Sequence, residues 1–208
     1  MGYSALSAEI RGDKNIAIGA GALQVQSNST DVDAFNVAVG HAAGAAVTTG
    51  TQNTYIGGLA GDAATASVEN VAVGYQSLSA DTLGSKSVAI GRMALLSQNL
   101  TTATDVYNVA VGHNAGQQIT TGIQNTLIGG LAGDALTDAD ANVVVGRAAL
   151  TTDTLGSQSV AIGSRALNSQ NFTTATNSYN TAVGADAGLS VTTGLKNTLI
   201  GGLAGDAL

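Results

Sequence analysis

Three aromatic residues recur at a fixed spacing and could bind a sugar. Phe35, Tyr107 and Tyr179 lie 72 residues apart, and each ends a segment rich in Asn, Thr and Asp. An aromatic ring offers a flat apolar surface, and the polar neighbours can hydrogen-bond to hydroxyl groups. The alternative is that the rings fold back and anchor their own segments. The candidate ligand-binding residues are Phe35, Asn99, Tyr107, Asn171, Phe172 and Tyr179.

Metal and catalytic sites find less support in the residue types. The chain has no Cys, and His41 and His113 follow equivalent glycines, whereas the third equivalent position is Ala185. Three acids, Asp62, Asp134 and Asp206, recur in GGLAGD, but calcium-binding β-rolls need Gly and Asp in every turn. We therefore expect no metal and no cofactor.

Hydrolysis of a polysaccharide would need two carboxylates about 5 to 9.5 Å apart. The nearest pairs in sequence are Asp31 with Asp33 and Asp138 with Asp140, and both pairs are typical of solvated loop acids. No set of Ser, His and acid recurs together through the chain. We expect that this protein is not an enzyme.

The elements that position these residues come from an internal repeat. A five-residue motif occurs eleven times, and consecutive copies are 17 or 21 residues apart. It consists of Asn or Ser, then a β-branched residue, then a variable residue, then Val or Ile, and finally Gly. Three spacings of 17 and one of 21 make a block of 72 residues. The copies begin at Asn15, Asn36, Asn53, Asn70, Ser87, Asn108, Asn125, Asn142, Ser159, Asn180 and Asn197.

A repeat this short, with a β-branched run ended by glycine, leaves no room for a pair of helices. It predicts one coil of a parallel β-solenoid per repeat, with short strands stacked about 4.8 Å apart. The whole of 1–208 is then one repeat domain of about eleven coils, with blocks at 2–73, 74–145 and 146–208, cut from a longer array.

Stacked coils place equivalent residues in columns. Numbering each coil from its Asn or Ser, we expect Asn at position 1 to form an amide ladder and Thr at position 13 to bond to backbone. We expect position 4 to form a dry column and the glycine at position 5 to take a positive φ at a corner. The structural residues are Val39, Ile56, Val73, Ile90, Val111, Ile128, Val145, Ile162 and Val183, with Gly40, Gly112 and Gly184.

The strand is apolar on both faces, because positions 2 and 4 point one way and position 3 points the other. Such a strand is expected where both faces are covered. One face can line the interior of its own coil. We therefore predict that the other face packs against further copies of the chain around a common axis.

Composition narrows the possible partners. Seven basic residues are dispersed within a net charge of -7, which disfavours nucleic acid. No apolar run approaches the roughly 18 residues of a membrane span, so direct membrane insertion is not expected.

The motif, read with the Ala at position 8, resembles the head repeats of YadA-type trimeric autotransporter adhesins. The longer units, such as NVAVGHNAGQQITTGIQNTLIGGLAGDAL, are similar to arrays in bacteriophage tail fibres and mosaic adhesive trimer proteins. The resemblance covers nearly the whole chain. It implies a left-handed parallel β-roll assembled as a parallel homotrimer.

The resemblance also implies a place and a role. It suggests an extracellular fibre on a virion tail or a bacterial cell surface, with loops that bind a receptor or glycan. Two alternatives are a polysaccharide-degrading tailspike and an ice-binding solenoid. The second would need a flat Thr-x-Thr face on successive coils.

Overall fold

The computed structural model describes residues 2–207, which form seventeen short strands and no helix. No element of this part of the chain is therefore a helix that could cross a bilayer. The chain divides into two compact units, residues 1–107 and 108–208. The first contains β1 (Gly12–Asp13), β2 (Ile16–Ile18), β3 (Val32–Asp33), β4 (Val37–Val39), β5 (Thr54–Ile56), β6 (Val71–Val73), β7 (Gly84–Ser85), β8 (Val88–Ile90) and β9 (Thr104–Asp105). The second contains β10 (Val109–Val111), β11 (Thr126–Ile128), β12 (Val143–Val145), β13 (Gly156–Ser157), β14 (Val160–Ile162), β15 (Thr176–Asn177), β16 (Thr181–Val183) and β17 (Thr198–Ile200).

Each unit is a parallel β-solenoid with one three-residue strand per coil. In the first unit the strands lie in the order β2, β4, β5, β6, β8, and in the second in the order β10, β11, β12, β14, β16, β17. Every pair is parallel and in repeat register, so that Ala38 pairs with Tyr55 and Leu127 with Val144. The prediction of an all-β parallel solenoid with about eleven coils is confirmed.

The 21-residue coils accommodate their four extra residues with a second strand pair. Strand β1 pairs with β3, β7 with β9 and β13 with β15, again in parallel. Each of these pairs joins a coil to its extended successor. The extension is therefore part of the stacked structure.

Position 3 of each strand lines the interior. It is buried in nine coils and half-buried in the first and last, whereas the isoleucines at position 4 are exposed; Ile56, for example, is 39% exposed. The prediction that position 4 forms a dry interior column is wrong for the single chain. Successive side chains of a strand point to opposite faces, so position 4 turns outward once position 3 turns inward. The valines among them, including Val39, Val73, Val111, Val145 and Val183, are half-buried on the same outer face.

The narrow interior is filled by complementary sizes at positions 3 and 9. In one coil Tyr55 meets Gly61, where an added Cβ would lie 2.3 Å from the ring. In the next coil the sizes are reversed, because Ala72 is followed by buried Leu78. In these two coils a large residue at one position meets a small residue at the other. Ala38 and Gly44 are both small, and there the space beside Gly44 is filled by Tyr55 and Leu23 of the adjacent coils.

The glycines at the corners have positive φ. Gly40, Gly112 and Gly184 have φ values of +143°, +143° and +140°, so the prediction for position 5 is confirmed. A Cβ on Gly40 would lie 2.4 Å from the carbonyl oxygen of Gly57 in the next coil. Glycine is required here both by conformation and by the close approach of stacked backbone.

The asparagines at position 1 form the predicted ladder inside each unit. The backbone N–H of Asn53 donates to Oδ1 of Asn36 at 2.9 Å, and its Nδ2 donates to the Ser67 carbonyl at 2.9 Å. Its own Oδ1 accepts from the N–H of Asn70 at 3.0 Å. The amide of Asn53 therefore joins two coils and satisfies its polar atoms. In the first coil, Nδ2 of Asn15 is buried without a partner.

Candidate functional site

The three recurring aromatic residues lie at a corner, immediately before the strand. Phe35, Tyr107 and Tyr179 have φ values of 51°, 56° and 52°, and each is about half exposed. The residue before position 1 is left-handed in the other coils as well, for example at Gln52 and Glu69. The aromatic side chains therefore belong to a column of outward corner residues, which we call the corner column.

A lysine covers two of the rings from the preceding coil. Lys14 Nζ lies 5.0 Å from the centroid of the Phe35 ring, and Lys86 Nζ lies 5.5 Å from that of Tyr107. Both distances are within the range of a cation–π contact. The sequence did not predict this pairing, although the 21-residue offset between each lysine and its aromatic residue is the signal that reveals it.

An aspartate completes each of these two clusters. Lys14 pairs with Asp33 and Lys86 with Asp105, each at 2.6 Å. Hydrogen bonds to Asp105 and Tyr107 raise the pKa of Lys86, and the hydrogen bond from Lys86 lowers the pKa of Asp105. The pairs are solvent-exposed, so they orient the side chains more than they stabilise the fold.

The third cluster differs in charge. Gln158 and Asn177 occupy the positions of the lysine and the aspartate, and Nδ2 of Asn177 lies 3.5 Å from the hydroxyl of Tyr179. The side chain in contact with this ring's hydroxyl is thus a neutral amide. A planar aromatic face beside amide donors and acceptors suits a neutral hydroxylated ligand.

The other candidate residues are split between the surface and the interior. Asn99 is exposed and Asn171 is half-buried, both in the Thr column at position 13. Phe172 is 6% exposed, so its ring packs inside the coil and presents no surface to a ligand. Its aromatic type suggested ligand contact, but its position one residue after Asn171 turns it inward.

Sequence reasoning missed a buried carboxylate under each of two extensions. Asp81 accepts hydrogen bonds from the N–H groups of Gly84 at 3.0 Å and Leu100 at 3.1 Å, and from Nε2 of Gln98. Asp153 is bonded in the same way to Gly156 and Phe172. The recurring DTLG at these two acids is the signal in the sequence.

Desolvation by burial raises the pKa of Asp81, against the opposing hydrogen bonds from Gln98 and the backbone. The carboxylate anchors the start of the extended coil.

The Thr column is structural. Thr65 Oγ1 donates to the Thr82 carbonyl at 3.0 Å, and Thr137 Oγ1 donates to the Thr154 carbonyl at 3.0 Å. These hydroxyls are used within the chain, and the column holds one Thr in each 17-residue coil but Ser27, Asn99 or Asn171 in the 21-residue coils. It does not provide the Thr-x-Thr face that an ice-binding solenoid needs.

The remaining candidates lie apart on the surface. His41 and His113 are exposed at the corner that follows the glycine, and within residues 2–207 no three His or acidic side chains cluster as metal ligands. Asp33 is paired with Lys14, while Asp138 accepts from Thr121 Oγ1 at 2.6 Å and Asp140 from the N–H of Ile123 at 2.8 Å. Each of these acids already has a local partner.

The outward face of the strands is uniform in residue type. Positions 2 and 4 hold only Val, Ile and Thr in all eleven coils, with no charged residue. Side chains such as Ile90, Ile128 and Ile162 are exposed there, each by more than a third. We call this surface the outer strand face.

Fold and surface together define the chain as a parallel β-solenoid repeat protein. No protein-family model, no curated protein and no solved structure matches this chain.

Proposed function

We propose that this chain is a structural and adhesive segment of a trimeric surface fibre, and that it is not an enzyme. Three copies would pack in parallel, each a left-handed β-roll, with their outer strand faces around a common axis. The fibre would be extracellular, on a virion tail or a bacterial cell surface. Its corner column would bind a receptor or glycan.

The outer strand face carries the proposal. A contiguous apolar strip on a monomer marks an interaction surface. Its β-branched side chains lose little rotamer freedom on packing. A second copy of the chain carries the same strip, with the same spacing from one coil to the next. Parallel copies in register would therefore cover every coil with the same contacts, as a closed symmetric assembly requires. The resemblance to YadA-type repeats supplies the number three.

The corner column supports the adhesive role. Its aromatic residues lie outside the outer strand face and recur once per block of the sequence. Phe35 and Tyr107, both in the first unit, are about 19 Å apart at four strand spacings. Repeated weak sites on one chain raise the total affinity through effective concentration. Tyr179, with its neutral amide neighbours, is the best single candidate for a sugar.

Spin labelling tests the assembly directly, since the chain has no native cysteine. A nitroxide attached through Val145→Cys, on the outer strand face, should be immobilised and broadened by labels on the other copies. Dilution with unlabelled chain should remove the broadening. A label attached through Asp138→Cys, at an exposed turn, is the control and should stay mobile. A sharp, mobile spectrum at position 145 would rule out packing through this face.

A further inference from the structure

The segments that hold the extra residues of the three 21-residue coils contain the only Asn-x-Ser/Thr tripeptides in the sequence. They are Asn28-Ser29-Thr30, Asn99-Leu100-Thr101 and Asn171-Phe172-Thr173, and the chain has no proline that could block any of them. This tripeptide is the acceptor for N-linked sugar when it is accessible on a surface. The structure distinguishes the three.

In the second block the middle residue of the tripeptide is fixed inside the coil. Leu100 is buried, its N–H donates to Asp81 Oδ1 at 3.1 Å, and its carbonyl accepts from the N–H of Leu83 at 3.0 Å. Successive residues of an extended segment point to opposite sides. Asn99 and Thr101 accordingly point outward, and both are exposed.

The third block repeats the arrangement. The N–H of buried Phe172 donates to Asp153 Oδ1 at 2.9 Å, and its carbonyl accepts from the N–H of Leu155 at 3.0 Å. Thr173 is exposed and Asn171 is half-buried. The buried carboxylate therefore has the same consequence in both blocks, because it holds the middle residue in and turns its two neighbours out.

The acceptor nitrogen is available in both asparagines. The carboxamide is held by its oxygen, since Oδ1 of Asn99 accepts from Thr82 Oγ1 at 3.1 Å and Oδ1 of Asn171 accepts from Thr154 Oγ1 at 3.4 Å. Among the described residues, no group is hydrogen-bonded to Nδ2 of either side chain. A sugar on Nδ2 would break no contact of the coil.

The first tripeptide is shifted by one residue and faces the other way. Asn28 occupies the inward position that Leu100 and Phe172 hold in the other blocks, and it is 5% exposed. Its N–H donates to Glu9 Oε1 and its Nδ2 donates to Glu9 Oε2, each at 3.3 Å. The nitrogen that would receive the sugar is thus buried and already bonded.

We propose that Asn99 and Asn171 are acceptor sites for N-linked sugar in the folded protein and that Asn28 is not. The donor is a sugar activated as a nucleoside diphosphate. Nδ2 forms a bond to the anomeric carbon, the bond from that carbon to the diphosphate breaks, and the diphosphate leaves with the bonding electron pair. Nδ2 releases one proton to a base of the transferase, and nothing is oxidised or reduced.

The test uses the purified, folded chain with a soluble N-glycosyltransferase and UDP-glucose. Peptide mapping by mass spectrometry should find one hexose on Asn99 and one on Asn171, with none on Asn28. Synthetic peptides of residues 20–35, 92–107 and 164–179 are the unfolded reference and should be modified at all three asparagines. Folded chain that stays unmodified at Asn99 and Asn171, or that is modified equally at Asn28, would overturn the proposal.

Matched variants separate the acceptor role from a loss of fold. Thr101→Ala should remove the hexose from Asn99 and leave that on Asn171, whereas Thr101→Ser should retain both. Ser27→Asn places an asparagine at the outward position of the first block, ahead of Asn28 and Ser29, and should gain a hexose at position 27. Failure of that gain in a chain with an unchanged circular dichroism spectrum would contradict the inward and outward assignment. The oligomeric mass does not enter these measurements, so their outcome is independent of the proposed trimer.

Discussion

The two faces of the same strands follow different sequence rules. On the inner face position 3 is Ala, Val, Leu or Tyr, and position 9 is Leu or Gly. On the outer face positions 2 and 4 keep to Val, Ile and Thr in every coil. Inside, a large residue fills the space left by a small residue in the same coil or in an adjacent one. Outside, the uniformity is what a surface needs if every coil meets the same neighbour.

Introducing the same charged residue on each face, one face at a time, should give the largest difference between the two faces. Val144 is fully buried on the inner face, whereas Val145 is half-buried on the outer face. Val144→Asp should lower the free energy of unfolding by about 4 kcal/mol, because it buries a charge without a partner. Val145→Asp should keep the β-sheet circular dichroism spectrum and lose the assembly. Denaturant unfolding followed by circular dichroism checks both, and equal destabilisation by the two variants would contradict the assignment of faces.

A size swap should sharpen the rule for the inner face. Gly61→Leu should cost about 3 kcal/mol by overpacking against Tyr55, and Tyr55→Ala about 3 kcal/mol by leaving a cavity. The double variant copies the Ala72 and Leu78 pair of the next coil and should recover at least about 1 kcal/mol of the summed loss. Gly58→Ala, whose Cβ would meet the Tyr75 ring at an ordinary 3.6 Å, is the control. Additive losses in chemical denaturation would contradict complementary packing.

The buried carboxylate gives a smaller, pH-dependent effect. Because the pKa of folded Asp81 is raised, the folded state binds its proton more tightly than the unfolded state does. The contribution of this group is therefore most favourable at pH below the unfolded pKa and is lost as the pH rises through the folded pKa. The stability of Asp81→Asn relative to the wild type should therefore rise across that range. The difference between their thermal midpoints, measured from pH 3 upward, should have that sign, and a constant difference would refute it.

Changes in the corner column should have the least effect on the fold. Tyr107→Ala with Tyr179→Ala should alter the free energy of unfolding by less than about 0.5 kcal/mol each, because both rings are surface side chains. The double variant should nevertheless bind glycans more weakly on an array. Gln124→Ala, in the same column, should bind as the wild type does. Binding that survives both tyrosine changes would remove the corner column from the proposed function.

Much of the fold could be predicted because the repeat makes each residue type recur at one structural position. The amide ladder through Asn53, the corner at Gly40 and the register of the strands follow from spacing alone. Which face of the strand points to the interior could not be predicted in this way, since Val145 and Val144 are equally apolar. The contact of the Tyr55 ring with Gly61 shows that position 3 is the one that faces the interior.

The candidate site was predicted in outline only. The aromatic residues are on the surface as expected, but Phe172 is inside because the one-residue alternation of an extended segment reverses its side. The cation–π contact of Lys86 with Tyr107 depends on the stacking of residues that are 21 apart in sequence. Asp81 resembles a loop acid in sequence. The recurring DTLG marks its position, and its contact with Leu100 shows that it anchors the extended coil.

Sedimentation equilibrium of the full chain tests the covered outer strand face most directly. The wild type should have three times the mass of one chain across the micromolar range, and Val145→Asp should have the mass of one chain with its β-sheet spectrum retained. A wild-type mass of one chain throughout that range would contradict the account.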